Sequence, residues 1–253
     1  MHSKKYFIGN WKMNGLKKDL IHLLTVEKFI KKNIKYKAAN YIFCIPYTIL
    51  GFGIFNEKLK IIKLGSQDIS KKSSDFGAFT GEVSAKMIKD LNCNYTIIGH
   101  SESRAAGDSD RDINLKIKHA LEMGFKIIYC VGESISRFKK KQSLSYVKKQ
   151  IDLNLKNNLS KTSSKNIILA YEPIWSIGSG IVPDNHYLNN FFFEIKKHLK
   201  KKFKADLPIL YGGSVSQKNI SILKNLKLCN GFLVGGASLK SNNFIDIIKK
   251  YYS

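Results

Sequence analysis

Eight times along the chain a short apolar segment gives way to a longer amphipathic one, the pattern of β–α units that build a parallel sheet. Strands are expected at Tyr6–Lys12, Tyr41–Pro46, Ile61–Ser66, Tyr95–Gly99, Lys126–Val131, Ile167–Tyr171, Ile209–Tyr211 and Gly231–Val234. Ile167-Ile168-Leu169-Ala170-Tyr171 is apolar without alternation, as a strand must be when helices cover one face and barrel core the other. Between strands the apolar period lengthens. Leu188, Phe191, Phe192, Ile195 and Leu199 share one helical face, as do Phe244, Ile247, Ile248 and Tyr251. Asp110 to Met123 carries Ile113, Ile117, Ala120 and Leu121 before a stop at Gly124. An open doubly wound sheet also alternates in this way, but it has fewer strands and a glycine fingerprint after the first, where this chain has Gly9-Asn10-Trp11-Lys12. Eight units in 253 residues, with no linker-like stretch between them, predict an α/β fold: an eightfold β/α barrel, one domain over residues 1–253.

Composition narrows the function classes. No apolar run reaches the length of a membrane span, and the Met1-His2-Ser3-Lys4-Lys5 start lacks a leader-like apolar stretch, so a cytoplasmic protein is expected. Cys44, Cys93, Cys130 and Cys229 form no CxxC pair and read as buried thiols. The net charge of +24 would suit a nucleic acid or an acidic small substrate. Only Arg104, Arg111 and Arg137 are arginines among 43 basic residues, which disfavours base reading and bidentate phosphate clamps on nucleic acid. No nucleic-acid or membrane partner is therefore expected.

In a closed barrel the C-terminal ends of the strands converge on one face, so polar residues there are the candidates for chemistry. They are Asn10 and Lys12 after strand 1, His100-Ser101-Glu102 after strand 4, Glu172-Pro173 after strand 6, Gly212-Gly213-Ser214 after strand 7 and Gly235-Gly236 after strand 8. Paired glycines let backbone amides approach an anion, and barrels often bind phosphate after strands 7 and 8. Pro173 to Gly180 places a Trp in a glycine-rich loop, which suits a lid closing over substrate. The remaining histidines, His2, His22, His119, His186 and His198, have no ligand-like spacing, and no metal site is expected. No GxSxG elbow or P-loop occurs either. A carboxylate, an imidazole and an ammonium around a phosphate suit proton abstraction beside a carbonyl, with the lid keeping water from an intermediate that would otherwise expel its phosphate.

Six blocks then carry a resemblance in chain order: Phe7 to Asn14, Gly77 to Glu82, Ile98 to Glu102, Ala170 to Trp175, Tyr211 to Val215 and Val234 to Leu239. Together they resemble the triosephosphate isomerase family over the whole chain, a family whose Glu base, neutral His and closing loop are a worked case of tuned acid–base chemistry. The resemblance implies a TIM barrel that interconverts dihydroxyacetone phosphate and D-glyceraldehyde 3-phosphate through an enediolate, without a cofactor, as a cytoplasmic homodimer of glycolysis and gluconeogenesis. It implies Glu172 as base, His100 as electrophile, Lys12 and Asn10 beside the substrate, and Glu102 as a second carboxylate by Lys12. Gly178, Ser214, Gly235 and Gly236 match its phosphate-binding donors. The segment Gln67 to Glu82 resembles the loop that enters the partner subunit and brings Thr80 towards the partner's site.

Some positions depart from the family pattern. Asp68 replaces an Asn, the stretch from Ile69 to Phe76 is longer than usual, and Ser103 stands where an Arg is common, which would remove an ion pair near strand 4. In the lid, Ser179 replaces Thr and Ile181 replaces Lys. Two other readings remain at this stage: another phosphate-binding β/α barrel enzyme, and a non-catalytic basic barrel binding RNA or anionic surfaces.

Overall fold

The structure, a computed structural model, describes residues 5–54, 58–160 and 163–253. The Met1–Lys4 part of the start segment, with His2, lies outside the described residues. Eight parallel strands close into a barrel in chain order: β1 (Tyr6–Asn10), β2 (Asn40–Cys44), β3 (Lys63–Ser66), β4 (Tyr95–Ile98), β5 (Lys126–Val131), β6 (Ile167–Tyr171), β7 (Ile209–Tyr211) and β8 (Gly231–Val234). Closure is made by β1 pairing with β8, Tyr6 opposite Gly231 and Gly9 opposite Val234. The α-helices around it among the described residues are α1 (Ile21–Lys32), α2 (Tyr47–Ile54), α3 (Ala85–Asp90), α4 (Ser101–Ala105) and α5 (Asp110–Glu122) in the first half. The second half has α6 (Ile135–Lys139), α7 (Ser143–Leu155), α8 (Asn185–Phe203), α9 (Ile220–Leu223) and α10 (Ser241–Tyr252).

All eight expected strands form, and the differences lie at their ends. The first stops at Asn10 because Lys12 takes a left-handed backbone, φ 54°, which leaves the sheet direction. The third begins at Lys63 because the amides of Lys60, Ile61 and Ile62 donate to the buried Glu27 carboxylate of α1 instead of a neighbouring strand. The fourth ends before Gly99, whose φ of +75° begins the turn carrying His100. The second starts at Asn40 and ends at Cys44, two residues before Pro46.

Two apolar layers follow from strand alternation. Ile8, Ile42, Ile97, Ile128, Ile168 and Leu210 fill the barrel interior together with Cys44 and Cys130. Phe7, Tyr41, Phe43 and Tyr171 belong to the layer packed by the helices. Leu188, Phe191, Phe192, Ile195 and Leu199 of α8 are all buried there, each contributing about 1.5–3 kcal/mol of transfer free energy. In α5, Ile113, Ile117 and Ala120 are buried while Leu121 is half-buried, and Ser109 and Asp112 form a capping box at its start. All four cysteines are buried, unpaired thiols. Among the described residues no helix is long and apolar enough to cross a membrane.

Candidate active site

The C-terminal ends of β1, β4, β6, β7 and β8 open on one cavity of about 440 Å³. Asn10, Lys12, His100, Glu172, Gly178, Ser214, Gly235 and Gly236 all line it, whereas Ser101, Glu102 and Pro173 of the strand ends singled out from the sequence do not. Glu102 lies outside the lining with a 60% exposed side chain, and its carboxylate reaches two site residues: Lys12 Nζ is 2.6 Å from its Oε1, and His100 Nδ1 is 3.7 Å from its Oε2.

Glu172 leaves β6 immediately before Pro173, which holds it in an extended backbone conformation. Two glycines give it room. A Cβ on Gly132 would stand 1.8 Å from the Glu172 carbonyl oxygen, and one on Gly212 would stand 2.8 Å from Glu172 Cγ. The carboxylate is 2% exposed. Burial raises its pKa above the ordinary carboxylate value, the opposing pull of His100, the Ser101 amide, Lys12 and Cys130 not cancelling it. The result is a desolvated, more basic carboxylate.

His100 caps α4: its Nδ1 accepts from the Glu102 amide at 3.2 Å. An amide donor at Nδ1 requires a lone pair there, which puts the ring proton on Nε2. That nitrogen faces the cavity, 3.3 Å from Glu172 Oε1. The imidazole thus presents a donor on the cavity side, beside the carboxylate.

Lys12 is held in its left-handed conformation from both sides. Its amide donates to Asn10 Oδ1 at 3.0 Å, and its carbonyl accepts from Gln67 Nε2 at 2.9 Å. A non-glycine residue in this region costs of order 1–3 kcal/mol, so these contacts hold the backbone from which the side chain leaves, and Glu102 holds the ammonium at its far end. Gln67 also donates to the Cys44 carbonyl. It thereby ties the root of the 67–82 loop to the site.

The turn after β7 and the lid meet in this cavity. Gly180 donates its amide to Ser214 Oγ at 3.0 Å, and Ser214 Oγ donates to the Ser176 carbonyl at 2.6 Å. Gly235 and Gly236 line the same cavity, and glycine turns of this kind let backbone amides approach an anion. At the lid's first hinge Trp175 Nε1 donates to Glu133 Oε1 at 3.1 Å, as does the Tyr171 hydroxyl. The Trp175 ring packs on Phe138 with centroids 4.3 Å apart.

Several of these residues escaped the sequence reading. Glu133 sits two residues past β5 and is fully buried; a carboxylate just beyond a strand end was the available signal. Gly132, Gln67 and Ser176 act through contacts distant in sequence, and no local pattern marks them. The positions departing from the family pattern also find partners. Asp68 Oδ2 and Asp108 Oδ2 both bind the buried Lys116 ammonium, at 2.6 and 2.7 Å. Beside Ser103, Arg104 pairs with Asp110 at 2.8 Å and donates to the Gly99 carbonyl. Ser179 Oγ accepts from the Ile181 amide at 3.1 Å within the lid. The 67–82 loop leaves Phe76, Phe79 and Thr80 exposed in the single chain.

Comparison with known proteins agrees with this geometry. The family model described as triosephosphate isomerase matches residues 5–251. The triosephosphate isomerase of Cytophaga hutchinsonii is 36% identical over 98% of this chain and 99% of its own length. That of Candida albicans is 36% identical over 98% of each. A crystal structure of triosephosphate isomerase from Bartonella henselae superposes with a TM-score of 0.86 at 30% identity, covering 99% of this chain and all of that one. The fold, the meeting of the strand ends and these matches lead to one conclusion: the chain belongs to the triosephosphate isomerase family.

Proposed function

We propose that the chain interconverts dihydroxyacetone phosphate and D-glyceraldehyde 3-phosphate without a cofactor. One observation carries this reading: a buried carboxylate of raised pKa lies 3.3 Å from an imidazole Nε2 that bears the ring proton, in one cavity with a fixed ammonium and a glycine-lined anion cradle. Glu172 removes a proton from the carbon beside the carbonyl. His100 donates from Nε2 to the carbonyl oxygen and moves a proton between the two oxygens of the enediolate. Lys12 offsets the negative charge developing on those oxygens, with Asn10 alongside. Glu102 holds Lys12 and remains exposed enough to exchange protons with solvent. Amides at Gly178, Gly235 and Gly236 receive the phosphate, and the Ser214 amide joins them by giving up its 3.3 Å bond to Ser176 Oγ.

The working unit is a homodimer in this reading. Met13 is 97% exposed and Phe76 68% exposed, a cost in apolar exposure that a partner subunit would remove. Thr80 of the 67–82 loop would then approach the partner's site. The chain acts in the cytoplasm, in glycolysis and gluconeogenesis.

A coupled assay with glyceraldehyde 3-phosphate, run beside a salt-dependent gel shift with RNA, tests the proposal. Turnover without a shift is expected; an RNA complex without turnover would favour a basic non-catalytic barrel.

A further inference from the structure

Two lysines line the cavity at the strand ends, Lys12 and Lys218, and they differ in what they already hold. Lys12 Nζ is 2.6 Å from Glu102 Oε1, and its charge also acts on Glu172. That ammonium is shared between two carboxylates before any substrate arrives. Lys218 is exposed, and among the described residues no carboxylate lies within ion-pair distance of its ammonium. Of the described residues that line the cavity, Lys218 alone supplies a full positive charge that nothing offsets.

The backbone that carries Lys218 is held in place. Its amide donates to Ser216 Oγ at 3.2 Å, the Ser216 amide donates to Asn219 Oδ1 at 2.9 Å, and Asn219 Nδ2 donates to the Ser214 carbonyl at 3.0 Å. The Gln217 carbonyl accepts from Lys250 Nζ of α10 at 2.9 Å. The segment from Ser214 to Asn219 is thus closed on itself and tied to a neighbouring helix. From that fixed root a flexible four-carbon stem lets the ammonium follow an anion.

A phosphate ester carries close to two negative charges at neutral pH. Backbone amides offer it only partial positive charge, and Glu172 places a carboxylate in the same cavity. We propose that Lys218 is a substrate-binding residue whose ammonium meets the phosphate from the rim of the turn after β7, so that the site's hold on a doubly charged ester depends on this one side chain. This rests on the isomerase reading above, which puts the phosphate at that turn. Because Lys218 is exposed and forms no ion pair, its removal costs the fold nothing.

The test titrates inorganic phosphate by calorimetry into the wild-type protein, Lys218→Met, Lys218→Arg and Lys32→Met, and sets beside it the kinetics with glyceraldehyde 3-phosphate and with unphosphorylated D-glyceraldehyde. Lys32 is exposed at the end of α1 that leads back to the start of β2, away from the strand C-termini, and removes the same charge elsewhere. Lys218→Met should weaken phosphate binding about three- to tenfold, the range of a charge-assisted contact moderated by solvent, and raise KM for glyceraldehyde 3-phosphate alike with kcat little changed. Lys218→Arg should recover the affinity, Lys32→Met should match the wild type, and kcat/KM for D-glyceraldehyde should be the same in all four. Unchanged phosphate affinity in Lys218→Met, an equal loss in Lys32→Met, or an equal fall with D-glyceraldehyde would overturn the assignment. Phosphate binding that depends on Lys218 in a wild-type protein without isomerase activity would refute the isomerase reading and leave the anion contact standing.

Discussion

The room made by Gly212 is open to a sharp test. In Gly212→Ala the new methyl carbon would lie 2.8 Å from Glu172 Cγ, against an ordinary contact of 3.4 Å or more, so the side chain must move about 0.6 Å. The Tyr171 carbonyl, at 3.4 Å, tolerates the methyl, and Gly212 has no left-handed φ, so the backbone carries no strain. The displacement is therefore borne by the carboxylate that faces His100. A misplacement approaching 1 Å of a reacting group costs up to about 10² in rate, so kcat should fall roughly 10- to 100-fold. Thermal stability and affinity for a phosphate analogue should hardly change, because neither the core nor the phosphate turn moves. Gly132→Ala behaves differently: its methyl would meet the Glu172 carbonyl oxygen at 1.8 Å, a backbone contact that cannot yield, and loss of the fold is expected. A coupled assay following dihydroxyacetone phosphate formation, with melting curves of both variants, reads these outcomes. Gly212→Ala at full turnover would show that the position of Glu172 is not set as argued.

Other expectations follow from the same geometry. Lys12→Met should lower both turnover and affinity for a phosphate analogue; unchanged values of both, by kinetics and calorimetry, would remove its direct electrostatic role. Glu27 is 2% exposed: burial pushes its pKa up, but the amides of Ile62, Lys60 and Ile61 and the Lys31 ammonium outweigh this and leave it below the ordinary value. Its stabilisation is present above the unfolded carboxyl pKa and is lost as pH falls through the lower folded value. Glu27→Gln should cost about 1–3 kcal/mol in urea unfolding at neutral pH, and an unchanged midpoint would refute the anchor. Finally, a charge of +24 should draw a dianionic substrate, so kcat/KM should decline as salt is added; no dependence would leave the charge without a role in association.

The barrel and most of its site were legible because both depend on local signals. Strand-length apolar runs named all eight strands, and parallel closure turns every strand end into a neighbour of the same cavity, so Asn10, Lys12, His100 and Glu172 could be grouped without knowing a distance. What sequence could not carry was long-range. The Glu27 carboxylate takes amides more than 30 positions away, which shortens β3. The lysine that answers Asp68 comes from α5, 48 residues on. The left-handed turn at Lys12 had no glycine to announce it, being imposed by Asn10 and Gln67. Ser176 looked like any small loop residue until Tyr211 and Ser214 were seen around it.

Proton transfer through Glu172 is the claim on which the chemistry turns, and isomerisation in deuterated water tests it most directly. Dihydroxyacetone phosphate converted by the wild-type protein should give glyceraldehyde 3-phosphate carrying solvent deuterium at C2, and Glu172→Gln should lose turnover and labelling together, by roughly 10²–10⁴ in rate. Product without solvent label, or near-normal turnover in Glu172→Gln, would contradict the account.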